Sequence, residues 1–181
     1  KVKPNLKQNL MPHDYKKLEH WLKNRKNNIL IMGVVNVTPD SFSDGGLYFK
    51  PRDALEHAKK LISEGADILD IGGESTRPGS DPVSVQEEVD RTIPLIESII
   101  SFNPNCVVSI DTYKSEVAEK AILAGATMVN DISGLTFDPN MVDLVVNYRL
   151  PIVIMHMKGT PKNMQNNPQY DNLLLEINNF F

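Results

Sequence analysis

The chain has 181 residues, of which 41% are hydrophobic and 23% charged, and its net charge is −4. This is the composition of an ordinary globular domain with enough chain for a real core, and the negative balance argues against a nucleic-acid-binding surface. No stretch approaches the roughly 18 apolar residues of a membrane-spanning helix, and no signal-peptide pattern opens the chain, so no membrane or secretory role is expected. The single cysteine, Cys106, lies in the apolar run CVVSI and has no partner for an intrachain disulfide. A reducing, cytoplasmic setting is expected, with Cys106 as a buried structural thiol.

Residues 1–28 are rich in Lys and Asn and differ in composition from the remainder of the chain. Tyr15, Leu18, Trp21 and Leu22 fall at helical spacing, so this extension reads as a short amphipathic helix or a linker. The main domain is expected over 29–181. Its apolar runs predict strands at 29–36, 67–72, 107–111, 127–131 and 152–156, alternating with helices near 51–64, 84–101, 114–124 and 138–148. Pro51 opens the first helix, and Ser84 with Glu87 forms a capping-box pattern before the second. The segments SEGAD and LAGAT repeat one helix-to-strand turn that ends on glycine.

Apolar runs without alternation indicate strands buried on both faces, and strand–helix order indicates a parallel α/β sheet. An open doubly wound sheet and a (β/α)₈ barrel remain in competition. No glycine-rich dinucleotide or P-loop motif follows a strand, which weakens the open sheet. Polar residues cluster at the strand ends: Asn36, Asp70 with Gly72-Gly73-Glu74, Asp111-Thr112, Asn130-Asp131 and His156. In a barrel these ends ring one mouth, where sites form. Asp111 or Asp131 alone could be only a helix cap; five strands together argue for a shared site. The two loops NVTPDSFSDGGLYF and GGESTRPGSDPV are far longer than the usual roughly 2–6 residues of such connections. Their hydroxyls, amides and glycines suit an oxygen-rich anion, and Arg77 is a fair phosphate or carboxylate partner.

NVTPDSFSDGG, DIGGESTRPG, SIDT and NDISG, in this order, closely resemble the dihydropteroate synthase family. The resemblance runs over about 29–177 and includes MHMKGTPKNMQNNPQYDN. It implies a TIM (β/α)₈ barrel, of which this chain supplies about the first five βα units. It implies condensation of 6-hydroxymethyl-7,8-dihydropterin diphosphate with p-aminobenzoate, giving 7,8-dihydropteroate and pyrophosphate in folate biosynthesis. On this basis Asp111 and Asn130 bind pterin, with Ile132 and Met155 as apolar walls. Asn36 acts at the leaving group through Mg²⁺, which favours oxygen ligands and keeps several waters. Thr76 contacts substrate. Phe42, Ser43, Asp44, Arg77 and Pro78 lie on the loops that close over p-aminobenzoate, with Asp44 and Arg77 ordering one another. His156 is the one histidine near the mouth and carries no assigned role.

The chain departs from the family in extent. A TIM barrel runs to about 250 residues, whereas this chain reaches Phe181 within the fifth unit. The family's last three units would add a pterin-binding Asp and Lys and an Arg-x-His grip on the diphosphate. The chain is therefore expected to belong to a longer protein and to be incomplete as an enzyme by itself, its open sheet edges being unstable or sticky. A half-barrel or domain-swapped assembly is the alternative arrangement. The extension permits fusion to an upstream folate-pathway enzyme, and the family often forms homodimers. Rival functions are a pterin-binding methyltransferase domain and a non-catalytic pterin-binding fragment. In the complete enzyme Arg77→Ala is expected to raise the KM for p-aminobenzoate; unchanged steady-state kinetics would remove Arg77 from that role.

Overall fold

The computed structural model describes residues 29–38, 51–75 and 81–181. The extension over 1–28 and the central parts of both long loops lie outside these residues. Five strands alternate with helices: β1 (Met32–Asn36), α1 (Pro51–Ser63), β2 (Ile68–Gly72), α2 (Val85–Phe102), β3 (Val107–Asp111), α3 (Ser115–Leu123), β4 (Met128–Asp131), α4 (Asn140–Tyr148), β5 (Ile152–Ile154) and α5 (Leu173–Phe180). The ends differ from the sequence expectation by at most three residues, as fraying ends do.

All four strand pairings are parallel, and the sheet order is β1-β2-β3-β4-β5. A doubly wound sheet reverses direction at a switch point. Here each strand is added to the same edge, the sequence of a barrel wall. The five βα units thus match the first units of a TIM barrel, and the open-sheet alternative falls away. Among the described residues no helix is long and apolar enough to cross a membrane.

Strand alternation sorts the side chains into two layers. Val35, Leu69, Ile71, Val108, Ile110 and Val129 face the helices and are fully buried against Ile96, Ile99, Val117 and Met141. Burying each of these large side chains is worth about 1.5–3 kcal/mol, so this layer drives the fold. The other face has an apolar floor, where Ile68, Val107 and Met128 pack with Met32. Above that floor polar residues of β2, β3 and β4 lie between Val34 on β1 and Val153 on β5.

Chain reversals use local chemistry. The Ser84 side chain accepts from the Glu87 N–H at 3.1 Å, as the capping pattern predicts. The Glu87 carboxylate, however, pairs with Arg91. Gly65 (φ 103°) and Gly125 (φ 114°) end α1 and α3 in the left-handed region. Each is followed by an N–H reaching back five residues, Ala66 to Leu61 O and Ala126 to Ala121 O, both at 2.9 Å. These are Schellman caps. After α4, Arg149 adopts the left-handed conformation at φ 54°, a position that glycine would take more easily.

At the top of β2 the chain runs close against α2. A β-carbon on Gly73 would stand 2.8 Å from Thr92 Cγ2 and 2.9 Å from Glu88 Cγ, with the Glu88 carbonyl oxygen at 3.2 Å. Gly73→Ala is therefore expected to destabilise the chain by about 1–3 kcal/mol through overpacking. Urea unfolding followed by circular dichroism would measure this, and an unchanged midpoint would show that the contact relaxes freely.

Candidate functional site

Parallel register places the strand ends in step. Asn36 is opposite Gly72, Gly72 opposite Asp111, Asp111 opposite Asn130, and Asn130 opposite Val153. Asn36, Gly72, Asp111 and Asn130 all lie on the face turned away from the helices, so they form one inward row at the mouth. Gly72 leaves a gap in this row. A β-carbon there would stand 3.2 Å from Asn36 Oδ1 and 3.4 Å from Asp111 Oδ2. Both oxygens therefore border the space that glycine leaves open.

One layer lower, Val34, Asp70, Ser109 and Met128 are aligned. Asn130 Nδ2 donates to Asp70 Oδ2 at 2.9 Å, tying the two layers together. Asp70 was visible in the sequence as a polar residue before GGE but was not placed in the site. The signal that finds it is parity, because Asp70 and Gly72 share a face.

The inward face carries two carboxyls, Asp111 in this row and Asp70 one layer below. Burial raises the Asp111 carboxyl to about 7, and the negative charges of Asp70, Glu88, Asp131 and Glu74 push in the same direction. Among the described residues no group of three or more His, Cys, Asp or Glu side chains could hold a metal ion.

Other polar strand ends serve the scaffold. Glu74 Oε2 accepts from the Val83 N–H at 2.9 Å and from Lys114 Nζ at 2.6 Å, and Glu74 Oε1 accepts from Tyr113 OH at 2.9 Å. Lys114 Nζ also donates to Glu88 Oε2 at 2.5 Å and to the Val83 carbonyl at 2.9 Å. This network joins β2, the start of α2 and the β3 exit. Burial opposes the Lys114 ammonium, but its hydrogen bonds to Glu74 and Glu88 outweigh that and hold its pKa above the ordinary lysine value. Burial and the Glu74 hydrogen bond raise Tyr113 to about 12. Asp131 is fully buried on the helix side. Its carboxylate accepts from the Ser133 and Leu135 N–H groups at 2.8 and 3.0 Å, so it shapes the turn after β4. His156 packs edge-on to Phe180, with centroids 4.9 Å apart. Glu74, Asp131 and His156, which also lie at strand ends, thus have structural partners of their own.

Of the residues expected in the site, Asn36, Asp111 and Asn130 are brought together. Ile132 and Met155 are half-buried just beyond β4 and β5, and Met155 N–H donates to the Asp131 carbonyl at 3.3 Å. Phe42, Ser43, Asp44, Thr76, Arg77 and Pro78 lie outside the described residues.

A wall of parallel βα units with polar strand ends at one mouth is the architecture of a TIM barrel. Residues 32–181 match the pterin binding enzyme family, and the chain belongs to it. It is 47% identical over 151 residues to the dihydropteroate synthase of Synechocystis, covering 83% of this chain and 52% of that protein. It is 49% identical over 150 residues to the folic acid synthesis protein fol1 of Schizosaccharomyces pombe, covering 83% of this chain and 20% of that one. Among solved structures, the dihydropteroate synthase of Xanthomonas albilineans with 4-aminobenzoic acid superposes with a TM-score of 0.75 at 45% identity, over 85% of this chain and 54% of the other. The chain thus spans about half the length of the dihydropteroate synthases it matches.

The raised Asp111 carboxyl gives a pH signature. Its folded pKa, about 7, lies above the unfolded value near 3.8. The folded state therefore holds the proton more tightly between these values, and stability is lost as pH rises through that window. Asp111→Asn should remove this loss, so the variant should gain stability relative to the parent at pH 8 and lose the advantage by pH 4. Urea midpoints across this range test it; parallel curves for the two proteins would contradict the raised pKa.

Proposed function

We propose that the protein carrying this chain is a dihydropteroate synthase. It would join 6-hydroxymethyl-7,8-dihydropterin diphosphate to p-aminobenzoate, releasing pyrophosphate and forming 7,8-dihydropteroate. The observation that carries the reading is the inward row, with Asp111 and Asn130 paired in register beside the Gly72 gap. A pterin presents adjacent N–H donors and a carbonyl along one edge. A carboxylate accepts from ring and exocyclic N–H groups, and a carboxamide completes the set. The inward carboxyls of Asp70 and Asp111 favour such a donor-rich heterocycle over a bare anion. Family membership and the names of the relatives add support.

In the reaction the amine nitrogen of p-aminobenzoate bonds to the pterin methylene carbon as its bond to the diphosphate oxygen breaks. The amine gives up a proton and the electron pair leaves with pyrophosphate. The electron-rich pterin stabilises positive charge at the methylene, so the chain need supply no strong base. Asp111 and Asn130 would orient the heterocycle, with Ile132 and Met155 against its faces. Thr76, Phe42, Ser43, Asp44, Arg77 and Pro78 are proposed to enclose the second substrate from the two loops.

Mg²⁺ belongs to this reading. Asn36 offers one neutral oxygen at the edge of the mouth, exposed to solvent. A single oxygen fits a Mg²⁺ that keeps its waters and shares substrate phosphate oxygens, and does not make an all-protein cage. When bound, the ion would neutralise charge on the departing diphosphate. A cytoplasmic location, a homodimer, and an extension at 1–28 leading to an upstream folate-pathway domain complete the proposal. The length of the S. pombe relative, of which this chain covers 20%, is in keeping with a multidomain setting.

The test is pyrophosphate release by the complete protein. Release that requires both the pterin diphosphate and p-aminobenzoate is expected, and release indifferent to p-aminobenzoate would reject the synthase. Asp111→Ala and Asn130→Ala should each weaken pterin binding by at least about tenfold, the loss of one charge-assisted or buried hydrogen bond. Unchanged titration calorimetry would remove them from the pterin site.

A further inference from the structure

Asp70 is only 4% exposed, on the inward face of β2, directly beneath Gly72. Its Oδ2 accepts from Asn130 Nδ2. Its Oδ1 has no hydrogen-bond partner among the described residues, and neither has Ser109 Oγ at the adjoining register position on β3, although both atoms are buried. Buried polar atoms seldom remain unpaired, so two side by side mark a place that a donor fills. No β2 side chain stands between Asp70 and the mouth, since the next inward residue is glycine.

The contact to Asn130 has a chemical consequence. In this contact the Asn130 NH₂ donates and the Asp70 oxygen accepts. The Asn130 carbonyl oxygen is then turned the other way. We propose that Asp70 is a positioning residue that locks Asn130 as a hydrogen-bond acceptor at the mouth, matching Asp111, so that the site selects a heterocycle edge carrying adjacent N–H donors. The unpaired Asp70 Oδ1 and Ser109 Oγ form a second polar tier that takes a water or an amino hydrogen beneath that edge. Without Asp70, Asn130 could present either end of its amide, and selection would fall. This inference rests on the pterin reading for its ligand and on Asp70 for its content.

The experiment measures selectivity in the complete protein. Titration calorimetry compares 6-hydroxymethylpterin with its analogue lacking the exocyclic amino group. The parent should prefer the amino-bearing ligand by at least about tenfold, because a site built to accept an N–H is left with unpaired groups by the analogue. Asp70→Asn, nearly isosteric but able to donate, should reduce that preference by tenfold or more. If Asp70 only supports the fold, the variant will lose stability or bind both ligands proportionally worse, the ratio will hold, and the proposal fails. Should Asp70→Asn not fold, the parent still decides the matter by NMR. Asn130 side-chain amide protons, identified by their disappearance in Asn130→Ser, should be protected from solvent exchange; rapid exchange overturns the proposal. If the parent binds neither pterin, the pterin reading fails, and the exchange measurement alone judges Asp70.

Discussion

The parallel ladder running from β1 to β4 is the constraint on which the site depends. It aligns Asn36, Gly72, Asp111 and Asn130 although they are far apart in sequence. A slip of one residue in any strand would turn its inward residues toward the helices. That slip would bury Asp111 among Ile96, Ile99 and Val117 and expose Val108 or Ile110, at a cost of several large side chains leaving the core. The apolar layer between sheet and helices therefore fixes the register, and the register fixes the site. No residue of the mouth has to stabilise its own position.

Charge distribution follows from the same geometry. Asp70, Asp111, Glu74, Glu88 and Asp131 crowd the β2–β4 ends closely enough to raise the Asp111 carboxyl together with burial. Among the described residues the ammonium that bonds this group, Lys114, is committed to Glu74 and Glu88 on the helix side of the β2 exit. A buried pair of this kind is costly to desolvate and is weak evidence for stability by itself. Its value here lies in direction: Lys114 Nζ is held at once by Glu74 Oε2, Glu88 Oε2 and the Val83 carbonyl, although Glu88 Oε1 stays unpaired among the described residues. It holds Val83, at the far end of the second loop, to Glu74 at its near end. Among the described residues the inward carboxylates are left without a cation, which is the state that suits a ligand rich in N–H groups.

Much of this was legible in the sequence. Unalternating apolar runs gave the five strands, glycine and serine signals gave the helix ends, and the long polar loops pointed to the mouth. Two things were not legible. Sequence spacing by itself did not choose between barrel and open sheet, because both use the same βα unit and differ only in which edge each strand joins; the resemblance carried by NVTPDSFSDGG and DIGGESTRPG chose the barrel, and the strand order agrees. Nor did polar character at a strand end separate ligand groups from scaffold groups. Glu74 and Asp131 have the same chemistry as Asp111, and a residue type carries no information about what it faces.

What separates them is parity within the strand and what lies beside it. Asp131 is two residues beyond Val129, which is buried against the helices, so its carboxylate falls on the helix side and meets the backbone N–H groups of its own turn. Asp111 is two residues beyond Ser109 on the opposite face, where β2 offers only glycine and leaves a gap beside it. Of two aspartates one register step apart, one is satisfied by its own turn and the other faces the gap. A buried carboxyl without an internal donor raises its pKa and remains available to a ligand that brings donors of its own. The same reasoning extends one layer down to Asp70, where a single donor from Asn130 satisfies one oxygen and leaves the other unpaired among the described residues.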